Sequence, residues 1–328
     1  MTTQYKGDRV KDNFIFVDFL ALDTSAIEFS PVKKNEYSGR MINIKYRGKI
    51  LYVKFPKRSL PFGINIKTPL EMSGKNSGEE KAENAKGYDA AWSLNKEYSN
   101  PSHEDYAYYK KAEEIDDFFM NAALKNKSEW LGMDEDEKEE FSMAKIRGND
   151  KYGYKGLWKR LLKWSRNKES VDKKRSVNTD YPPRINAGFK VDFDKPERRD
   201  EETGRKKCKF LTKFFYEGNV PTEPVNESNY DRIVPKYSEI SMLCKWSRLT
   251  ASDTWIVLKS DIEQCVVYPK ATLDMSQNYL DEDIDETESA NLNENYLDMP
   301  AMSNIEEAIQ NFDSEPTPAI RFKPRTKN

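Results

Sequence analysis

The stretch Arg40-Met41-Ile42-Asn43-Ile44-Lys45-Tyr46-Arg47-Gly48-Lys49-Ile50-Leu51-Tyr52-Val53-Lys54-Phe55-Pro56 decides the fold class. Ile42, Ile44 and Tyr46 alternate with Met41, Asn43 and Lys45, and Ile50 to Phe55 repeats the alternation after Arg47-Gly48-Lys49. A period of two is the mark of a half-buried strand, and glycine takes the positive φ that a short reversal needs. The stretch therefore predicts a β-hairpin.

The pattern continues on both sides. Pro61 and Gly63 interrupt pairing in Leu60-Pro61-Phe62-Gly63-Ile64-Asn65, where Phe62 is expected to plug the end of a barrel. Ser73 to Gly87 is rich in Gly, Ser, Glu and Lys and reads as a flexible loop, and Tyr88 to Leu94 as a short strand. From Glu104 the period changes. Tyr108, Ala112, Ile115, Phe119 and Ala122 fall on one helical face, with Gly132 as a stop and a further acidic helical turn at Asp134 to Phe141. Leu157 to Trp164 suits either strand or helix. Later strands are expected at Arg184 to Phe193, Lys206 to Tyr216, Ile240 to Leu249, and Trp255 to Tyr268 with a break near Asp261. The fold class is mainly β with an inserted α-helix: mostly antiparallel strands over residues 1–270 that suit a small barrel or a sandwich, a helical insertion at about 104–145, and a disordered acidic tail over 271–328.

Composition narrows the function. The 328 residues are 37% hydrophobic and 34% charged, so part of the chain packs no core, yet an aromatic share of 12% argues against disorder throughout. No apolar run reaches the length of a membrane helix, and the start has no apolar leader segment. With three scattered cysteines, Cys208, Cys244 and Cys265, this suits reduced thiols in a cytosolic compartment and makes secretion an unexpected fate. His103 is the single histidine, which removes His-dependent triads and most zinc modules.

The net charge of -2 hides segregated blocks. Residues 1–67 hold 13 Lys/Arg against 6 Asp/Glu, residues 113–140 hold 11 acids against 3 lysines, and residues 145–213 hold 22 bases against 10 acids. Residues 274–315 hold 13 acids and no base, and the chain ends with Arg321, Lys323, Arg325 and Lys327. Basic aromatic-rich blocks beside an acidic tail point to a polyanionic partner, although charge runs are also what solvated faces carry.

Catalytic constellations fail one by one. No phosphate-binding glycine loop is present. Asp281-x-Asp283-x-Asp285 lacks the glycine and terminal carboxylate of a calcium loop. Asp192-x-Asp194 has no third carboxylate of defined spacing, so magnesium chemistry has only a surface ion-pair cluster to work with. The expectation is a protein that is not an enzyme and needs no cofactor or metal.

The positive signal is the interleaving of cations with aromatics: Lys45-Tyr46-Arg47, Tyr52-x-Lys54-Phe55, Trp158-Lys159-Arg160, Lys163-Trp164, Phe189-Lys190, Lys209-Phe210, Lys213-Phe214-Phe215-Tyr216 and Lys245-Trp246-x-Arg248. Single-stranded nucleic acid uses this chemistry, with bases stacked on rings and phosphates followed by cations. The expected binding set is Lys45, Tyr46, Arg47, Tyr52, Lys54, Lys159, Arg160, Trp164, Lys190, Lys209, Lys213, Lys245, Trp246 and Arg248. Tyr46, Tyr52, Trp164 and Trp246 are the stacking rings. Against this stands a plainer reading in which many of the rings are core and the cations snorkel around them, Phe210, Phe214 and Trp255 above all.

The order of these features also carries a family likeness. The hairpin Met41 to Phe55, then Pro61-Phe62-Gly63-Ile64, the long helix, Tyr181-Pro182-Pro183-Arg184-Ile185, Ser241-Met242-Leu243-Cys244, Trp255-Ile256-Val257 and Gln264-Cys265-Val266-Val267-Tyr268 together resemble the single-stranded DNA-binding proteins of nucleocytoplasmic large DNA viruses, the African swine fever virus type. The resemblance spans roughly residues 25–270. It implies an OB-type fold, sequence-tolerant binding of single-stranded DNA (RNA being the other candidate), and a role in viral DNA replication, recombination or repair. The acidic segment looks like the C-terminal tails of phage and bacterial single-strand binders, which implies replication proteins as partners, and departs from them in its basic tip. The competing class is a non-enzymatic scaffold of a virion or replication factory, in which the acidic helix Glu113 to Glu140 would matter more than the basic faces.

Overall fold

The structure is a computed structural model that describes residues 9–11, 13–34, 39–68, 84–133, 136, 141–148, 153, 155–165, 176–195, 198–201 and 204–268. The loop expected at 73–87 lies for the most part outside the described residues, as do most of the second acidic turn and the whole tail from 269.

In chain order the strands are β1 (Arg9–Lys11), β2 (Phe14–Asp18), β3 (Ile27–Phe29), β4 (Lys33–Lys34), β5 (Arg40–Tyr46), β6 (Ile50–Leu60), β7 (Ile64–Lys67), β8 (Gly87–Ser93), β9 (Trp158–Lys159), β10 (Leu162–Lys163), β11 (Arg184–Phe189), β12 (Val191–Phe193), β13 (Cys208–Phe210), β14 (Lys213–Tyr216), β15 (Val220–Pro221), β16 (Ser238–Ser252) and β17 (Trp255–Tyr268). The helices are α1 (Glu104–Lys125), α2 (Lys127–Leu131), α3 (Met143–Arg147) and α4 (Tyr230–Ile233). The protein is mainly β, with a mixed sheet and one long helix.

The sheet is built on β16 and β17, which pair antiparallel over nearly their whole length. Its main path runs β1-β2-β6-β16-β17-β11-β8-β7. Two expectations are corrected here. The sheet is not wholly antiparallel: β2 runs parallel to β6, and β9, β11 and β14 in turn run parallel along the second edge of β17. Parallel neighbours need crossover connections, and the segments between β2 and β6 and between β9 and β17 are long enough to supply them. Among the described residues the path is also open, with β1 and β7 as its ends and no hydrogen-bonded closure into a barrel.

The hairpin is real only at its tip. Tyr46 and Lys49 exchange backbone hydrogen bonds of 2.9 and 3.0 Å across Arg47 (φ 50) and Gly48 (φ 73). Positive φ at both central residues is the mark of a type I′ turn. The two strands nevertheless form no ladder with each other. Met41 to Asn43 and Leu51 to Leu60 pair in succession along the same edge of β16, while Ile44 to Tyr46 swing away to pair with β3. The break expected near Asp261 is a register shift inside a continuous strand, where Glu263 is skipped between the pairs Cys244–Ile262 and Leu243–Gln264.

One face of the sheet is the core. Val17, Val53, Cys244, Ile262 and Phe189 form a buried row across five strands. Helix α1 closes over this side with Ala112, Ile115, Phe119 and Ala123, and Phe119 stacks on Trp158 at 5.3 Å. The lone histidine serves here, because His103 Nδ1 caps the helix by accepting from the Asp105 amide at 3.1 Å. Asp105 is itself buried between Arg58 Nε at 2.8 Å and the Asn95 amide at 2.6 Å, which ties the helix start to β6. Phe62 does not plug an end: it is 48% exposed on the β6–β7 turn.

Candidate nucleic-acid interface

Neighbouring residues of a strand point to opposite faces. That rule separates most of the interleaved pairs. Lys45, Lys159, Lys209 and Lys213 are exposed, while the adjacent Tyr46, Trp158, Phe210 and Phe214 are buried. Tyr46 is 1% exposed and Trp246 0%, so neither can offer a ring face to a base, and both are withdrawn as stacking residues. Their polar atoms are used internally: Tyr46 Oη accepts from the Asp23 amide at 3.3 Å, and Trp246 Nε1 donates to Ser260 Oγ at 3.2 Å. Trp164 is half-buried against the core.

Residues two apart behave differently. Tyr52 and Lys54 share the face of β6 that turns away from the core, and the register extends that face sideways. Phe16, Tyr52, Lys245 and Asp261 form one row, and Asp18, Lys54, Leu243, Gln264 and Lys213 form the next. Phe14 and Phe16 flank the Tyr52 ring at 5.7 and 5.3 Å, and Phe14 is 38% exposed. Four residues of the expected set, Tyr52, Lys54, Lys213 and Lys245, are thus brought together from β6, β14 and β16.

The face is mixed in charge. Lys54 sits 3.5 Å from Asp18, Lys57 2.9 Å from Glu239, and Lys190 3.1 Å from both oxygens of Glu263. Among the described residues Lys213 and Lys245 have no carboxylate within 4 Å. Partial burial raises the pKa of the Tyr52 hydroxyl; the nearby charge of Glu263 adds to this and Lys190 opposes it, which places Lys190 at the margin of the same surface. Beside the rows lies a groove of about 800 Å³, lined by Phe16, Leu20, Lys54, Leu243, Gln264 and Val266 among others. Planar rings, an apolar trough and lysines can hold flat hydrophobic groups next to anions.

The remaining expected residues are not gathered here. Lys45 and Arg47 belong to the β5 tip beside β3, where Arg47 lies over the Tyr46 ring at 5.0 Å. Lys209 is opposite Asp192 in a separate two-stranded sheet. Lys159 and Arg248 lie toward the far end of β16 and β17, opposite Val257 and Lys259 respectively. Arg160 has a buried Nε, and its charge acts on the buried Asp116 of α1.

Phe14, Phe16, Lys57 and Tyr268 belong to this face and were not selected from the sequence. The run Phe14-Ile15-Phe16-Val17 carries a strand signal, but its membership of this sheet depends on parallel pairing with β6, which no local pattern announces. Lys57 lies over the Tyr268 ring at 4.5 Å. The three thiols are buried and free, and burial pushes Cys208 and Cys244 up to about 12 and Cys265 higher still. Among the described residues no group of three or more His, Cys, Asp or Glu is placed to hold a metal ion, and no helix is long and apolar enough to cross a membrane. Comparison with known protein families finds none that matches the chain, and comparison with curated proteins finds no match.

Proposed function

We propose that this protein binds single-stranded DNA without sequence preference and acts in replication, recombination or repair of a large viral DNA genome. One observation carries the reading: a half-buried Tyr52, flanked by Phe14 and Phe16, shares a sheet face with Lys54, Lys245 and Lys213. Bases stack on such rings regardless of sequence, at about 1–3 kcal/mol each, while lysines on either side take phosphates. The matching fold reading is an elaborated OB-like plan in which the strand face, not the core face, meets the ligand. No catalytic step, cofactor or metal enters the proposal.

The test is fluorescence anisotropy of a labelled dT oligomer. Quenching of intrinsic fluorescence is a poorer readout, because Trp92, Trp130, Trp158 and Trp246 are all buried. Wild-type protein should bind saturably at low salt, and Tyr52→Ala should weaken binding by about tenfold or more, the value of one lost stack. Absence of saturable binding at low salt would remove the reading. Capture of proteins that survives both nuclease and high salt would instead favour a scaffold role.

A further inference from the structure

The Tyr52 row does not stop at β17. Asp261 pairs with Gly188 of β11, Gly188 with Asp89 of β8, and Asp89 with Asn65 of β7. The same face therefore runs on for about 14 Å from β6 to β11, at roughly 4.8 Å per strand. Along it lie Lys67, Lys163, Arg184 and Asn186, none of them in the set read from the sequence. Lys163 is directly opposite Arg184, and Arg184 opposite Ser93.

This edge is built unlike an ordinary surface. Lys67 reaches across Gly188, its Nζ 3.5 Å from where a Cβ would stand, and is 3.5 Å from Asp89. Neither Lys163 nor Arg184 has a carboxylate within 4 Å among the described residues, although Asp89 acts on both at longer range and Asp116 on Lys163. Burial lowers the pKa of both cations, so their charges are incompletely solvated. Asn186 Oδ1 is buried with no hydrogen-bond partner among the described residues. Beside this cluster the Arg184 guanidinium covers one side of the half-exposed Phe62 ring at 5.5 Å, and Tyr181 is 53% exposed nearby in sequence. Three cations converge where, among the described residues, Lys67–Asp89 is the one ion pair, next to a ring held open to solvent.

We propose that this edge is a second contact zone for the same single strand, taking a phosphate at Lys67, Lys163 and Arg184 and a base on Phe62. The inference rests on the binding reading above and extends its track from the Tyr52 rings across β17 to the β6–β7 turn. The glycine at position 188 leaves room for the Lys67 amine to cross the row.

The experiment uses full-length protein and dT oligomers of about 16 nucleotides, long enough to reach both zones. Phe62→Ala and Lys67→Gln should each weaken binding several-fold to about tenfold. The same oligomer carrying 5-iododeoxyuridine, irradiated on wild-type protein, should cross-link to a peptide containing Phe62, a result independent of how any variant folds. If Tyr52→Ala weakens binding while Phe62→Ala and Lys67→Gln bind as wild type and no cross-link maps to Phe62, the second zone is refuted and the first stands. If wild-type protein binds no oligomer, both fall together.

Discussion

Asp116→Ala should lower unfolding stability by about 2–5 kcal/mol, with loss of near-native packing around α1. Asp116 is almost fully buried on the helix, and its Oδ1 accepts from both Trp158 Nε1 at 2.7 Å and the Leu161 amide at 2.8 Å. Removing the carboxylate orphans two buried donors, each at about 1–3 kcal/mol. Among the described residues the other oxygen, Oδ2, has no hydrogen-bond partner. Burial is accordingly the dominant influence and raises this carboxyl from 3.8 to about 6, against the opposing pull of Leu161, Trp158, Arg160 and Lys163.

The sign of the pH effect follows from that direction. A carboxyl whose folded pKa is raised contributes most below its unfolded value, and the contribution is lost as pH climbs through the folded value. Wild-type protein should therefore lose stability relative to Asp116→Asn between about pH 4 and pH 6.5, by on the order of 3 kcal/mol. Asparagine keeps an oxygen for Trp158 and Leu161 but cannot titrate. Denaturant unfolding of the two proteins at several pH values reads this difference directly. A constant gap across the range would show that Asp116 is ionised in the folded state as readily as in the unfolded chain.

The combined variant Lys54→Gln, Lys213→Gln, Lys245→Gln should bind dT oligomers on the order of a hundredfold more weakly at about 50 mM salt, and should show a flatter salt dependence. Each lysine that neutralises a phosphate on a single strand contributes about 0.7 to the slope of log affinity against log salt, so the slope should drop by about 2. Lys213 and Lys245 should account for most of the change. Lys54 is already 3.5 Å from Asp18, and a phosphate must compete with that carboxylate. Affinity that falls with the slope unchanged would mean that these lysines act by some route other than phosphate neutralisation.

Much of the fold could be read from residue order. Period-two runs located β6, β8, β11, β16 and β17, and the apolar positions from Tyr108 to Ala122 located α1. What could not be read was pairing. The turn at Arg47-Gly48 is of the hairpin kind, yet its strands lie end to end along β16 because β3 draws Ile44 to Tyr46 away. The small helix α4 and strand β15 lie in a segment, Val220 to Pro235, where no apolar period announces them, and β2 finds its place through a parallel neighbour.

The candidate site was legible in kind and partly illegible in membership, for a geometric reason. Lys245 and Trp246 are adjacent, so the strand that turns the lysine outward turns the ring into the core; Lys45 with Tyr46, and Lys213 with Phe214, repeat the case. Tyr52 and Lys54 are two apart and do share a face. Spacing of two within a strand, combined with register across strands, is the signal that gathers a surface, and only the first of these is written locally.

Lysine-reactivity footprinting with and without saturating dT oligomer tests the binding face most directly, because it asks which amines the strand covers. Protection is expected at Lys54, Lys213 and Lys245, with Lys96 and Lys110 on exposed helical and turn positions left as reactive as before. Equal reactivity at Lys54, Lys213 and Lys245 in the two states, with the oligomer bound, would place the strand elsewhere and contradict the account.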